Sequence, residues 1–246
     1  MSERIRIAAV GDVHLGQDLK GRYGPHLRGL SAEADLLLVA GDLTQHGTCD
    51  EAAVFVEEFS QADVPVVTVL GNHDYHSDQA REIRALIEAE GIPVLDGSHV
   101  QVSTQRGIVG VAGVKGFCLG FNGRCAANFG EPEMREFTRH GLEAGESLRK
   151  ALDAATGDVR VALTHFSPIE DTLVGEPAEI WAFLGNYRLG DAIDDAGADF
   201  AVHGHAHAGR EKGTTPEGVP VRNVAQPVIR SAYRVYEVAP REGGSG

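Results

Sequence analysis

The sequence predicts an α/β fold whose ligands bind beyond the carboxyl ends of its strands. Three observations carry that prediction. Short β-branched apolar runs recur along the chain. The intervals between the early runs hold apolar residues at helical spacing. Five of the runs end abruptly in polar residues. With 246 residues, 42% of them hydrophobic, the chain can bury a real core, which argues against disorder.

The elements follow in order. Ile5 to Val10 is the first strand, and Gly11-Asp12-Val13-His14 follows at once. Ser31 to Asp35 reads as a short helix, and Leu36 to Ala40 as a strand ending in Gly41-Asp42. Asp50 to Gln61 carries Ala, Glu and Phe at helical spacing. Val64 to Leu70 is the third strand and runs into Gly71-Asn72-His73-Asp74. Ser77 to Glu90 has Ile83, Leu86 and Ile87 as an apolar stripe, with Ser77 or Asp78 as its cap. His99 to Ser103 and Ile108 to Ala112 pair around Gln105-Arg106-Gly107. Residues 114–130 form a glycine-rich loop without a period, of a length that is usually functional or mobile. Glu133 to Ala155 is the longest helical stretch, with Gly141 or Gly145 as its expected breaks. Val159 to Leu163 leads into Thr164-His165, and Phe200 to Val202 into His203-Gly204-His205-Ala206-His207. Val219 to Val224 and Tyr233 to Val238 are late strands. No repeat or linker divides the chain, so residues 1–240 are expected to be one domain, with 241–246 a frayed tail.

Charge narrows the function. Lys and Arg number 22 against 36 Asp and Glu, a net charge of −14. Such a surface repels polyanions, so tight binding to nucleic acid or an anionic membrane is not expected. Cys49, Cys118 and Cys125 form no CxxC and are odd in number, which predicts idle thiols in a reducing compartment. No signal-peptide core precedes the first strand, and no apolar run approaches the ~20 residues of a membrane span. A cytoplasmic protein is the expectation.

The polar strand ends form a metal constellation. Asp12 and His14 alternate where a strand turns, so both can reach one ion. Asp42 lies thirty residues on, and Asn72 thirty beyond that, each interval fitting one helix and one strand. His165, His205 and His207 add imidazoles. Two carboxylates, one amide oxygen and four imidazoles are too many for one catalytic metal that keeps an open position. They suit two ions ~3.5–4 Å apart with a bridging carboxylate. Oxygen and imidazole without thiolate select Mn, Fe, Zn or Ni, with Mn favoured. Each piece alone is weak, since Gly-Asp is a common turn and a lone histidine is usually structural. Five pieces, each after a predicted strand, are not chance.

Together, Gly11-Asp12-Val13-His14, Gly41-Asp42, Gly71-Asn72-His73-Asp74, His165 and Gly204-His205-Ala206-His207 resemble the five motifs of the calcineurin-like metallophosphoesterases, in family order across residues 11–207. The resemblance implies a four-layer αββα sandwich of two mixed sheets flanked by helices. It also implies one metal on Asp12, His14, Asp42 and His207, and a second on Asp42, Asn72, His165 and His205, with Asp42 as bridge. A water held between two such cations loses its proton at neutral pH and attacks phosphorus in line. His73 would face the phosphate as general acid or charge stabiliser, and Asp74 would either orient a histidine or cap a helix.

Smaller expectations attach to other residues. His203 is expected to be structural, His46 to sit in a surface loop or touch substrate, and His76 to lie on the rim. Lys115, Arg124 and Arg230 are candidate phosphate partners, and Phe117, Phe121 and Phe129 are candidate substrate walls or loop anchors. Gln45 and His46 stand where protein phosphatases and symmetrical dinucleotide polyphosphatases usually carry Asp and Arg, and Asp74 stands where they usually carry Glu. The similarity is therefore greater to the broad group of small phosphodiesterases and phosphatases. The expected substrate is a small phosphorylated molecule or a nucleotide, as diester or monoester. The alternatives are a non-catalytic metal-binding module of the same fold, a polyphosphatase-like or protein-phosphatase-like enzyme, and a hydrolase of another bond.

Overall fold

The computed structural model describes residues 3–241. Its strands are β1 (Ile5–Val10), β2 (Leu36–Ala40), β3 (Val66–Val69), β4 (Val94–Leu95), β5 (Ser98–Thr104), β6 (Gly107–Val114), β7 (Gly120–Phe121), β8 (Arg124–Cys125), β9 (Val159–Thr164), β10 (Phe200–His203), β11 (Lys212–Thr214), β12 (Pro220–Asn223) and β13 (Arg234–Val238). Its α-helices are α1 (Gly24–Leu27), α2 (Cys49–Phe59), α3 (Ala80–Ala89), α4 (Pro132–Ala154), α5 (Trp181–Leu184), α6 (Tyr187–Ala196) and α7 (Gln226–Ile229).

Two mixed sheets form the centre. One runs β13-β1-β2-β3-β4, parallel except for β13; the other runs β11-β12-β10-β9-β6-β5, with β6, β9, β10 and β12 parallel. Strand alternation explains the layering. Val159, Val161 and Leu163 face the same core as β1 and β2, whereas Ala162 between them faces a second core with Leu148 and Leu152 of α4 and Leu189 and Ile193 of α6. Phe55 and Phe59 of α2 and Ile83 and Ile87 of α3 close the other side. The order helix, sheet, sheet, helix is the four-layer αββα sandwich. Asp35 ties the sheets at one edge, accepting from the backbone and guanidinium of Arg6 and from Arg106 in the β5–β6 turn.

Several local expectations change. Ser31 to Asp35 is no helix; only a 3₁₀ turn covers Leu30–Ala32. α3 begins at Ala80 rather than Ser77, because the Ser77 hydroxyl donates to the His46 carbonyl instead of capping a helix. α2 begins one residue earlier than expected, at Cys49, on a full capping box of Thr48 and Glu51. α4 is unbroken through both glycines. They serve close approach: a Cβ at Gly141 would lie 2.9 Å from the Cys118 carbonyl, and one at Gly145 2.6 Å from the Arg188 Cβ. The glycine-rich loop contains the β7–β8 hairpin. Arg241, placed in the tail by sequence, hydrogen-bonds Asp199 and the Asp158 carbonyl; residues 242–246 lie outside the described residues. α6 was not expected, although Asn186 caps it and Gly197 ends it in the left-handed region. No helix among the described residues is long and apolar enough to cross a membrane. The three cysteines are unpaired.

Candidate metal centre

The carboxyl ends of β1, β2, β3, β9 and β10 meet at one place. Backbone bonds between their loops hold it: Asp12 N–H donates to the Gly41 carbonyl, His14 N–H to Asp42, and Gly204 N–H to His165. Three sets of ligand atoms converge there, each within 4.8 Å of one another: Asp12–His14–His207, His14–Asp42–His73 and Asp42–His165–His205. The middle set shares a member with each of the others, so the clusters are contiguous. Asn72 joins through its side-chain oxygen, 2.9 Å from Nε2 of His165. All seven residues expected as ligands are therefore brought together, with His73 at their edge.

The local backbone shows what this convergence costs. Six non-glycine residues among those described have positive φ, and four are Asp12 (55°), His14 (41°), Asp42 (49°) and His205 (69°). Each such conformation costs about 1–3 kcal/mol and persists only where the surroundings over-determine it. The motif glycines have a matching cause. A Cβ on Gly71 would fall on the Asp42 carboxylate, and one on Gly204 would fall on Asp12.

Hydrogen bonds set the imidazole tautomers. Nδ1 of His165 is 2.8 Å from the Ala40 carbonyl, which only accepts, so Nδ1 carries the proton. Nε2 then presents a lone pair to Asn72 Oδ1 at 2.9 Å and to Asp42 Oδ1 at 3.3 Å. Three electron-rich atoms facing one another, with the buried His165 and Asp42 on one side and the exposed Asn72 on the other, are the donor set of a cation. Nε2 of His205 donates to the Phe183 carbonyl at 3.2 Å, leaving the lone pair on Nδ1. The buried Nε2 of His14 has no hydrogen-bond partner among the described residues. Burial pushes the His205 imidazole down to about 3 and holds His14 below its ordinary range. Both rings are thus neutral, the state that ligates metal. Burial would raise the Asp12 carboxyl, but the hydrogen bond from His207 outweighs it and holds Asp12 below its ordinary range. The donor chemistry fits a hard or borderline divalent ion.

Asp74 has a different task from either expected one. Fully buried, it neither orients a histidine nor caps an α-helix. Its carboxylate accepts from Leu43 N–H, Thr44 N–H, the Thr44 hydroxyl and Gly71 N–H, pinning the β2 and β3 loops together. Burial, with Asp42 close by, pushes its carboxyl up to about 6. Asp74→Asn puts an N–H donor against these donors. It is expected to cost about 1–3 kcal/mol and about 10–100-fold in metal affinity, as losing an orienting partner does. Thermal unfolding of the metal-free protein and a metal titration check this; no change in either would show that Asp74 is dispensable.

The remaining candidates separate. His203 is buried, belongs to none of the clusters and is bonded to the Gly204 carbonyl and Thr172, and burial lowers it to about 4. His46 pairs with Glu51 on the surface, and His76 is exposed. Arg124 lies over Trp181 and Arg230 is exposed, whereas Lys115 lines a cavity that reaches Asn72. Phe121 is a core anchor, Phe117 lines that same cavity, and Phe129 is 83% exposed. The contribution of the Ala40 and Phe183 carbonyls was missed by sequence reasoning, because a backbone carbonyl leaves no residue signature.

Comparison with known proteins agrees with the geometry. A probable glycerophosphodiester phosphodiesterase GpdQ of Arcobacter nitrofigilis is 37% identical over 57 residues, 23% of this chain and 21% of that protein. The chain thus matches about a fifth of that curated relative's length. Protein TT1561 of Thermus thermophilus superposes with a TM-score of 0.58 at 16% identity, over 96% of this chain and 99% of that one. A putative 5′-nucleotidase of Staphylococcus aureus superposes with a TM-score of 0.57 at 15% identity, over 97% of this chain and 53% of that one. Both likenesses concern the fold. The sequence model of the calcineurin-like phosphoesterases matches residues 5–209. The chain belongs to the calcineurin-like phosphoesterase family.

Proposed function

We propose that the protein hydrolyses a phosphodiester or phosphomonoester of a small molecule or nucleotide, using two divalent cations, with Mn favoured. The observation that carries this is the pair of donor clusters joined through Asp42 and His14. Asp12, His14, Asp42 and His207 would hold one ion, and Asp42, Asn72, His165 and His205 the other. When bound, the two ions would neutralise phosphate oxygens and make water a nucleophile at neutral pH. Two carboxylates against two divalent cations leave such a pair with excess positive charge, which suits an anionic ester.

The chain's own groups then orient and move protons. Nδ1 of His73 donates to the Gln45 carbonyl at 2.8 Å, which fixes the ring with Nε2 4.0 Å from Asp42 Oδ2. A proton on that Nε2 is placed to reach a leaving oxygen or to balance its charge. The ring is half-exposed. The relative's printed name makes a diester the first compound to try.

The test is hydrolysis of bis-p-nitrophenyl phosphate beside p-nitrophenyl phosphate, with Mn²⁺ and after chelation. Turnover is expected to vanish on chelation and return with Mn²⁺. Turnover indifferent to chelator, or none with two metals bound per chain, overturns the proposal.

A further inference from the structure

We propose that Lys115 recognises a second phosphate group on the substrate, so that the preferred ester is a doubly phosphorylated small molecule. This rests on the phosphoesterase function proposed above. Lys115 follows β6, and its backbone carbonyl accepts from His165 N–H and Phe166 N–H, which fixes it to the metal-cluster loop. Its side chain turns into a cavity of about 550 Å³ that begins at Asn72 and is walled by Tyr75, Phe117 and His140. Nζ lies 5.1, 5.4 and 5.2 Å from the ring centroids of Tyr75, Phe117 and Phe166.

What Lys115 lacks is an anion. Among the described residues no carboxylate reaches its Nζ within 4.0 Å, in a chain with 36 acidic residues against 22 basic ones. Aromatic faces attract an ammonium weakly and leave its N–H donors unpaired. Asp96 and Glu143 also line the cavity but stand beyond ion-pair distance. A second cavity of about 330 Å³ shares Tyr75, Asp96 and Lys115 and adds Arg81 and Arg84. Asp78 also lines that second cavity and Arg84 already pairs with Glu88, so Lys115 is the cation that borders the space beside Asn72. A phosphoryl group on the metals with another group reaching Lys115 satisfies both ends of this arrangement. The ammonium is a point charge with rotatable donors, which tolerates various oxyanion geometries.

The experiment compares matched anions as competitive inhibitors of whichever nitrophenyl ester the Mn²⁺-loaded protein hydrolyses. Adenosine 3′,5′-bisphosphate is set against adenosine 5′-monophosphate, and fructose 1,6-bisphosphate against fructose 6-phosphate. In the wild type the bisphosphate of at least one pair is expected to inhibit about tenfold or more strongly, as a charged hydrogen bond permits. Lys115→Met is expected to bring that ratio near one and Lys115→Arg to keep most of it, with metal content and unfolding temperature showing that the variants are intact. A wild-type ratio near one for both pairs overturns the inference, as does a ratio that survives Lys115→Met. The wild-type ratio decides even if a variant fails to fold. Absence of turnover with any ester counts against phosphoester hydrolysis alone; calorimetric binding of the same four compounds then still decides whether Lys115 selects the second phosphate.

Discussion

Asp42→Asn is expected to abolish hydrolysis and most metal-induced stabilisation, more than the ~10–100-fold lost with an outer orienting partner. Asp42 is 1% exposed and belongs to two of the three donor clusters. Asn keeps its shape and tolerates the φ of 49°. It can still accept the bond from His73 N–H, which Asp42 Oδ1 now receives at 2.8 Å. The substitution therefore removes one charge and little else. Metal stabilises the fold by RT ln(1 + [L]/Kd). The rise in unfolding temperature on adding Mn²⁺ should therefore shrink sharply in the variant, while the metal-free protein unfolds close to the wild type. A variant that keeps two metals and a normal rise would show that Asp42 is not the shared ligand.

His73→Ala is expected to lower kcat by about 10²–10⁴ while leaving metal content near the wild-type value. The reason is position: His73 sits at the edge of the cluster, its Nδ1 held by the Gln45 carbonyl and its ring edge-on to His14 at 4.5 Å between centroids. The size of the loss distinguishes its two possible roles. As a general acid, His73 matters least when the leaving group departs without a proton, as nitrophenolate does, and most for alkyl esters. As a charge stabiliser on phosphate, it costs both equally. Steady-state rates on a nitrophenyl and an alkyl ester of the same phosphate separate these. Equal kcat in wild type and variant on both esters would remove His73 from the chemistry.

The strands and the cluster were legible because each leaves a local signature. β1, β2, β9 and β10 are β-branched or apolar runs interrupted inside only by Arg6 and Arg160, and each ends in the groups that converge at the site. Metal ligation tolerates few residue types, so Asp12, His14, Asp42, Asn72, His165, His205 and His207 stand out in the chain even though the cluster spans most of it. The short helix at Ser31 and the cap at Ser77 were misplaced because both depend on partners elsewhere in the chain. Ser77 is taken by His46, and Ser31 by Asp63.

By itself the sequence determined the α/β alternation, the strand ends that carry polar groups, and the kinds of donor available to a cation. Those follow from side-chain period and ligand chemistry, which are properties of neighbouring residues. Only the tertiary structure decided that Asp74 pins two loops, that Gly141 and Gly145 pass a straight helix close to its neighbours, and that the Ala40 and Phe183 carbonyls choose the tautomers of His165 and His205. It alone put Lys115 beside Asn72 with no carboxylate at ion-pair distance among the described residues. Each of these is set by a contact between residues far apart in the chain, and such a contact exists only once the two sheets have closed on each other.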